Sequence, residues 1–78
     1  MNDLMKKVLA FLGNYTQLDG PVSEDSQLIA DLGINSLTLM EIANDAEDTF
    51  SITITDEELG GLVTVGDVVR LLEEKGVA

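Results

Sequence analysis

Three stretches of this chain repeat their apolar side chains at the spacing of an amphipathic α-helix, and this pattern constrains the fold more than any other feature. They cover residues 3–15, 36–50 and 64–76. Residues 51–55 alternate as a strand would, but a lone strand of that length has nothing here to pair with. We therefore predict an extended linker there, with Ile52 or Ile54 turned inward, in an all-α fold.

The first helix is predicted to begin at Asn2, a good N-cap, followed by Asp3 in the positive first turn. Gly13 and the residues up to Tyr15 are expected to end it. Its apolar side chains share one broad face: Leu4, Met5, Val8, Leu9, Phe11, Leu12 and Tyr15.

A long connection follows over residues 16–35, and a connection of that length in a small domain is predicted to be functional. Ser23 is expected to cap a short turn within it. Six apolar residues are expected to pin it across the bundle: Leu18, Val22, Leu28, Ile29, Leu32 and Ile34.

The second helix is predicted over Ser36–Phe50. At steps of about 100° its core face contains Leu39, Ile42, Ala43, Ala46 and Phe50. The opposite surface is mainly acidic but contains Leu37 and Met40, two sizeable apolar side chains close to Ser36.

Two more helices are predicted near the C-terminus. Asp56 is expected to cap a short one that Gly60 and Gly61 terminate. Thr64 is expected to cap the last, with Asp67 completing a capping box and Gly76 ending the helix. The buried stripe of this last helix is predicted to contain Val65, Val68, Val69 and Leu72.

Together these elements predict a single domain, residues 1–78, folded as a small irregular up-and-down four-helix bundle with a long loop after the first helix. Packing must hold it without help, because the chain contains no cysteine for disulfides or thiolate metal ligands. Its core is predicted to contain Val8, Leu12, Ile42, Phe50, Leu62, Val65, Val69 and Leu72.

The charge of the chain excludes several functions. Fifteen acidic against four basic side chains give a net charge of −11, which repels nucleic acid and anionic lipid and attracts basic proteins. The chain contains neither His nor Cys, so catalysis by the chain itself is not expected.

No stretch has the pattern of a signal peptide or the length of a membrane span, which predicts a cytoplasmic protein.

The seven residues from Asp31 to Leu37 read Asp-Leu-Gly-Ile-Asn-Ser-Leu. This segment resembles the Asp-Leu-Gly-x-Asp-Ser-Leu attachment motif of acyl carrier proteins. The likeness extends over nearly the whole chain, because the order of helices, the Ile52–Ile54 stretch and the Thr64-Val65 start of the last helix also fall where that family has theirs.

The resemblance implies that Ser36 carries a covalent 4′-phosphopantetheine arm, transferred from coenzyme A by a phosphopantetheinyl transferase. Other enzymes would load, elongate and unload acyl groups on its thiol, in fatty-acid or polyketide-type biosynthesis. The chain would be a monomeric, non-catalytic carrier. Independently, a serine in the first turn of a helix lies where free backbone N–H groups and the helix dipole favour a phosphodiester. Without the motif, Ser36 would be interpreted only as a helix-start serine.

Partner enzymes with basic surfaces are expected to dock beside Ser36. The predicted docking residues are Leu37, Met40, Glu41, Glu47 and Asp48. The alternative interpretation of the two apolar residues is that they are incidental surface hydrophobes. The small residues Ala43, Ala46, Gly60 and Gly61 additionally suggest room for an acyl chain between the second and third helices.

Asn35 departs from the motif, because the family usually has aspartate there. The resemblance implies that this aspartate lies within reach of the metal used by the transferase. A peptidyl or aminoacyl carrier of the same fold is an alternative function, and an acidic interaction protein without a prosthetic group is another. A mass increase after exposure to coenzyme A and a transferase distinguishes a carrier from the interaction protein.

Overall fold

The computed structural model describes residues 3–17 and 20–77. Within these residues the fold is all-α, as predicted, and consists of three substantial helices and one short helix. They are α1 (Asp3–Leu12), α2 (Ser36–Phe50), α3 (Asp56–Gly60) and α4 (Val65–Glu74). The predictions for Asn2 and Leu18 lie outside the described residues.

The core lies where the helical faces meet the long first loop. All four buried side chains of α1 and three of α4 join it, together with Leu28 and Ile34 of the loop. Six of the eight predicted core residues are buried, while Phe50 and Leu62 are half-buried against the core. The buried cluster comprises Leu4, Met5, Val8, Leu12, Leu28, Ile34, Leu39, Ile42, Val65, Val69 and Leu72.

The C-terminal ends of α1 and α4 lie where the sequence predicted them. A turn over residues 13–15 ends α1, and Gly76, with φ of 86°, reverses the chain after α4 so that the Val77 N–H donates to the Leu72 carbonyl at 3.0 Å. After α2, residues 52–55 are extended and both Ile52 and Ile54 are half-buried.

The predicted cap of α3 was wrong, because Thr55 caps this helix and Asp56 is its first residue. The Thr55 hydroxyl accepts from the Glu58 N–H at 3.2 Å, and the Glu58 carboxylate accepts from the Thr55 N–H at 3.0 Å. This reciprocal pair satisfies two backbone donors, which a cap at Asp56 would not do. The predicted capping box of Thr64 and Asp67 at the start of α4 is confirmed.

Backbone hydrogen bonds tie the first loop to the start of α4. The Leu28 N–H donates to the Val63 carbonyl at 2.8 Å, and the Val65 N–H donates to the Ser26 carbonyl at 2.9 Å. An isolated antiparallel bridge between Gln27 and Thr64 lies between these bonds. We call this pairing of residues 24–28 with 63–66 the loop clamp; the sequence pattern did not predict it.

The loop clamp corrects one predicted contact. Leu28 and Ile34 are buried, and Val22 and Leu32 are half-buried, as predicted for residues that pin the loop. Ile29, however, is 56% exposed. Leu28 takes the inward position at this turn, so the side chain of the next residue projects outward.

Candidate functional site

The segment before Ser36 is shaped by two backbone devices. The Asp31 carboxylate accepts from the Gln27 N–H at 2.7 Å, which closes the turn that follows the loop clamp. Gly33 then adopts a φ of 71°, a conformation that side-chain-bearing residues rarely take. These two residues direct the chain toward the start of α2.

Ile34 and Asn35 set the position of the serine. Ile34 is buried, and its N–H donates to the Leu28 carbonyl at 3.0 Å. Asn35 is extended, and its side-chain oxygen accepts from the Thr38 N–H at 2.8 Å, which confirms its prediction as the N-cap. Ser36 is consequently the first residue of α2, and it is exposed.

The first turn of α2 contains no acidic residue. In the other three helices the first turn has at least one, namely Asp3 in α1, three acids in α3 and Asp67 in α4. Carboxylates there offset the partial positive charge of a helix N-terminus. The positive end of α2 is therefore not neutralised by an acid of its own first turn, which favours an anion at Ser36.

A groove of about 410 Å³ borders Ser36. Residues of α2 form one side of it, α3 contributes a second, and the segments around residues 27–29 and 62–63 contribute a third. The lining is mainly apolar: Gln27, Ile29, Ser36, Leu39, Met40, Asp56, Leu59, Gly60, Leu62 and Val63.

Behind this groove lies a separate apolar void of about 20 Å³ in the core. Ala43 and Ala46 line the void, whereas Gly60 lines the groove and Gly61 lines neither. Leu39 and Leu62 border both spaces and separate them. The space that the small residues suggested is thus divided, and the inner part is only about the size of one water molecule.

The predicted docking residues differ in their surroundings. Leu37 and Met40 are 66% and 52% exposed, and Glu41 and Asp48 are exposed. Glu47 is half-buried, and its carboxylate accepts from the Ile54 N–H at 2.8 Å, so it also holds the extended segment after α2.

Asp45 on α2 interacts with the end of the first helical region. The Tyr15 hydroxyl donates to the Asp45 carboxylate. This hydrogen bond, with some burial and the nearby negative charge, raises the pKa of Tyr15 to about 12. The helical pattern placed Tyr15 on the apolar face of α1 and gave no signal for this bond, because it joins residues 30 positions apart.

Two of the groove residues that were not predicted as site residues are large, exposed and apolar. Ile29 and Val63 are 56% and 54% exposed and line the groove beside Ser36. The sequence offers no local signal for this, since the loop clamp that brings them together is a tertiary contact.

The described residues contain no group of three or more His, Cys, Asp or Glu arranged to hold a metal ion. None of the helices in this part of the chain has the length and apolar character needed to cross a membrane.

A family model described as "Phosphopantetheine attachment site" matches residues 6–72. The chain belongs to the acyl carrier protein family. An acyl carrier protein of Prochlorococcus marinus is 35% identical over 74 residues, which cover 94% of this chain and 92% of that protein. The acyl carrier protein of Rhodococcus erythropolis is 42% identical over 53 residues, which span 68% of this chain but only 58% of the length of that relative.

The fold agrees with this family. The solved structure of a candidate acyl carrier protein from Mycobacterium tuberculosis has a TM-score of 0.84 and 27% identity, and the match covers 91% of this chain and 96% of that one. The prosthetic group of the family is phosphopantetheine. The exposed Ser36 and the helix N-terminus beneath it fit the phosphodiester of such a group, because the N-terminus attracts negative charge and no carboxylate in the first turn of α2 competes for it.

Proposed function

We propose that this acyl carrier protein bears 4′-phosphopantetheine on Ser36 and carries acyl intermediates as thioesters for fatty-acid or polyketide-type biosynthesis. The observation that carries the proposal is the exposed Ser36 as first residue of a helix without an acid in its first turn, beside an apolar groove. Residues 1–78 would act as one monomeric carrier domain in the cytoplasm.

The chain contributes position rather than catalysis. Asn35 caps the helix through Thr38, so the Ser36 hydroxyl is not needed for capping and remains available for the transferase. In the transfer, Ser36 Oγ would form a bond to the phosphorus on the pantetheine side of the pyrophosphate of coenzyme A. The P–O bond to the other phosphate would break, adenosine 3′,5′-bisphosphate would leave with the bonding electron pair, and the hydroxyl proton would pass to a base of the transferase or to water. The arm supplies a thiol, which this chain lacks because it has no cysteine.

The docking surface would combine an apolar centre with acids. Leu37 and Met40 supply apolar area beside Ser36, and Glu41 and Asp48 are exposed carboxylates that attract basic partner surfaces. Glu47 would add charge, but part of its role is the bond to Ile54. The partners would be the phosphopantetheinyl transferase and the enzymes that load, elongate and unload the acyl group.

Intact mass after incubation with coenzyme A, Mg²⁺ and a broad-specificity phosphopantetheinyl transferase tests the attachment. The wild-type chain is expected to gain one arm, and Ser36→Ala none. Ser51→Gly is the control, because it removes another exposed serine hydroxyl at a position with φ of 56°, which glycine adopts without strain. A persistent mass increase in Ser36→Ala would place the attachment elsewhere.

We further propose that a long acyl chain would enter the core by displacing Leu39 and Leu62, the two residues that separate the groove from the void. Amide shifts at Ala43 and Ala46 are then expected to grow with chain length. If only groove residues such as Met40 and Gly60 respond at every length, the cargo stays outside the core.

A further inference from the structure

The exposed large hydrophobic side chains of the described residues are concentrated at one place. They are Ile29, Leu37, Met40 and Val63, and each is more than half exposed. Three of the four line the groove that Ser36 borders, and Leu37 follows Ser36 directly. Clustered exposed apolar area of this kind indicates an interaction surface rather than scattered surface hydrophobes.

Ile29 and Val63 lie on the side of the groove that adjoins the loop clamp, whereas α2 forms another side. The Leu28 N–H donates to the Val63 carbonyl at 2.8 Å, and the adjacent Gln27 and Thr64 form the antiparallel bridge. Buried Leu28 anchors this wall in the core. The two exposed side chains therefore belong to a fixed surface and need little ordering when a partner binds.

Among the described residues, the lining of the groove contains one charged side chain, Asp56, and no basic one. The sequence contains no Lys or Arg from residue 8 to residue 69, and the four basic residues lie at positions 6, 7, 70 and 75. Two exposed acids lie close in sequence to the apolar groove residues. Asp31 is two positions after Ile29, and Glu41 directly follows Met40. An apolar centre with an acidic rim fits a partner with apolar side chains flanked by Lys or Arg.

We propose that Ile29 and Val63 form a second docking wall, opposite the α2 surface, and that its occupant is the enzyme that modifies Ser36. Ser36 lines the same groove as Ile29 and Val63, so an enzyme seated over Ser36 Oγ lies beside both walls. This inference rests on the proposed function, since it requires that Ser36 is the modified residue.

Steady-state modification by a broad-specificity phosphopantetheinyl transferase, with the carrier as varied substrate, tests the second wall. In the double variant Ile29→Ser with Val63→Ser, the KM for the carrier is expected to rise roughly tenfold with kcat unchanged, because apolar contacts in an interface centre are lost. Ala30→Ser, next to Ile29 and exposed, and Ala10→Ser on α1 are the controls, and both are expected to keep the wild-type KM.

Circular dichroism and thermal unfolding of the double variant establish that it is folded before its kinetics are compared. An unchanged KM in a folded double variant would overturn the second wall, even though Ser36 is modified. No modification of the wild-type chain would instead contradict the proposed function. If the KM of the double variant is unchanged but its amide chemical shifts respond to arm attachment differently from those of the wild type, Ile29 and Val63 contact the arm and not the enzyme.

A salt series separates the wall from the charges. The double variant is expected to keep the wild-type salt dependence of kcat/KM, whereas Glu41→Gln should flatten it, because ions screen charge attraction and not apolar contact. A flattened salt dependence in the double variant would contradict an apolar role for Ile29 and Val63.

Discussion

The starts of α2 and α4 are built from the same parts and differ in what surrounds them. Each follows an extended cap residue whose side chain accepts from the N–H three positions later, Asn35 in one and Thr64 in the other. The first residue of α2 is exposed Ser36, whereas the first residue of α4 is Val65, which is fully buried. The third residue of the helix is Thr38 in α2 and the acidic Asp67 in α4.

The difference shows how one local motif serves stability at one helix and function at the other. In α4, the Asp67 carboxylate accepts from the N–H groups of Val63 and Thr64 at 3.0 Å each, and the loop clamp covers the helix start. In α2, the carboxylate is absent and the first residue faces solvent. Groups of the protein itself therefore bond the N–H groups at the start of α4, whereas the positive N-terminus of α2 remains open to an external anion.

The largest expected change in stability comes from giving the first residue of α4 a polar side chain, and the matching variant gives the first residue of α2 an apolar one. Val65→Thr keeps the shape of the side chain but buries a hydroxyl, so we expect a loss of about 1–3 kcal/mol in the free energy of unfolding. Ser36→Val changes an exposed position and is expected to alter stability by no more than about 0.5 kcal/mol, while abolishing modification. Urea denaturation of both variants measures this; equal losses would remove the structural contrast between the two starts.

The stability contributed by the two helix starts should depend differently on pH. Hydrogen bonds from the backbone N–H groups of Thr64 and Val63 lower the pKa of the Asp67 carboxyl below its ordinary value. Because the pKa is lower in the folded state, this stabilisation is complete above the unfolded pKa and is lost as the pH falls through the folded pKa. Asn35 does not titrate.

Urea denaturation between pH 7 and pH 3 tests this contrast. We expect the difference in unfolding free energy between the wild type and Asp67→Asn to shrink below about pH 4. Asn35→Ala, the comparison variant, should lose about 1 kcal/mol at each pH. A difference for Asp67→Asn that stays constant with pH would show that its hydrogen bonds do not depend on the charge.

Asn35→Asp sharpens the comparison at α2 by giving its cap a carboxylate. Asparagine and aspartate cap helices about equally well, so stability should change by no more than roughly a few tenths of a kcal/mol. An amide is a weaker ligand for a hard cation than a carboxylate, so the variant is expected to be modified severalfold faster by a generic transferase. Initial rates at equal Mg²⁺ measure this, and equal rates would show that the missing carboxylate is irrelevant to modification.

The smallest effect is expected from Thr38→Glu, which gives α2 the acidic third residue that α3 and α4 have. In the unmodified protein a capping box and a better match to the helix dipole should add about 0.3–1 kcal/mol of stability. With the arm attached, the gain should be smaller, because the new carboxylate and the phosphodiester share one positive helix end. Urea denaturation of both forms provides the comparison; an equal gain would mean that the two anions do not interact.

Much of this architecture was predictable because it is local. The range of α2, the Asn35 cap and the box of Thr64 with Asp67 follow from side chains that bond within one turn. The same local rule placed the cap of α3 one residue late, because Thr55 and Asp56 are both good caps and only Thr55 is extended and paired with Glu58.

The site was predictable only on its α2 side. Ser36, Leu37 and Met40 follow from helical spacing and from the motif, and all three are exposed. Ile29 was expected to pin the loop, and Val63 drew no prediction. Their exposure beside Ser36 depends on which loop residue takes the inward position, and that choice is made by Leu28 and its bond to the Val63 carbonyl.

The sequence by itself determined the helices, the caps of α2 and α4, the acidic charge and the serine at the start of α2, because each depends on residues within a few positions or on composition. Only the tertiary structure decided that the first loop pairs with residues 63–66, that Tyr15 bonds Asp45, and that a groove opens beside Ser36. Such contacts join positions about 30 or more residues apart, and no local preference specifies which of the many possible pairs will form. Packing of the whole chain selects them, because buried Leu28 and Val65 must fill the core while their backbone groups find hydrogen-bond partners.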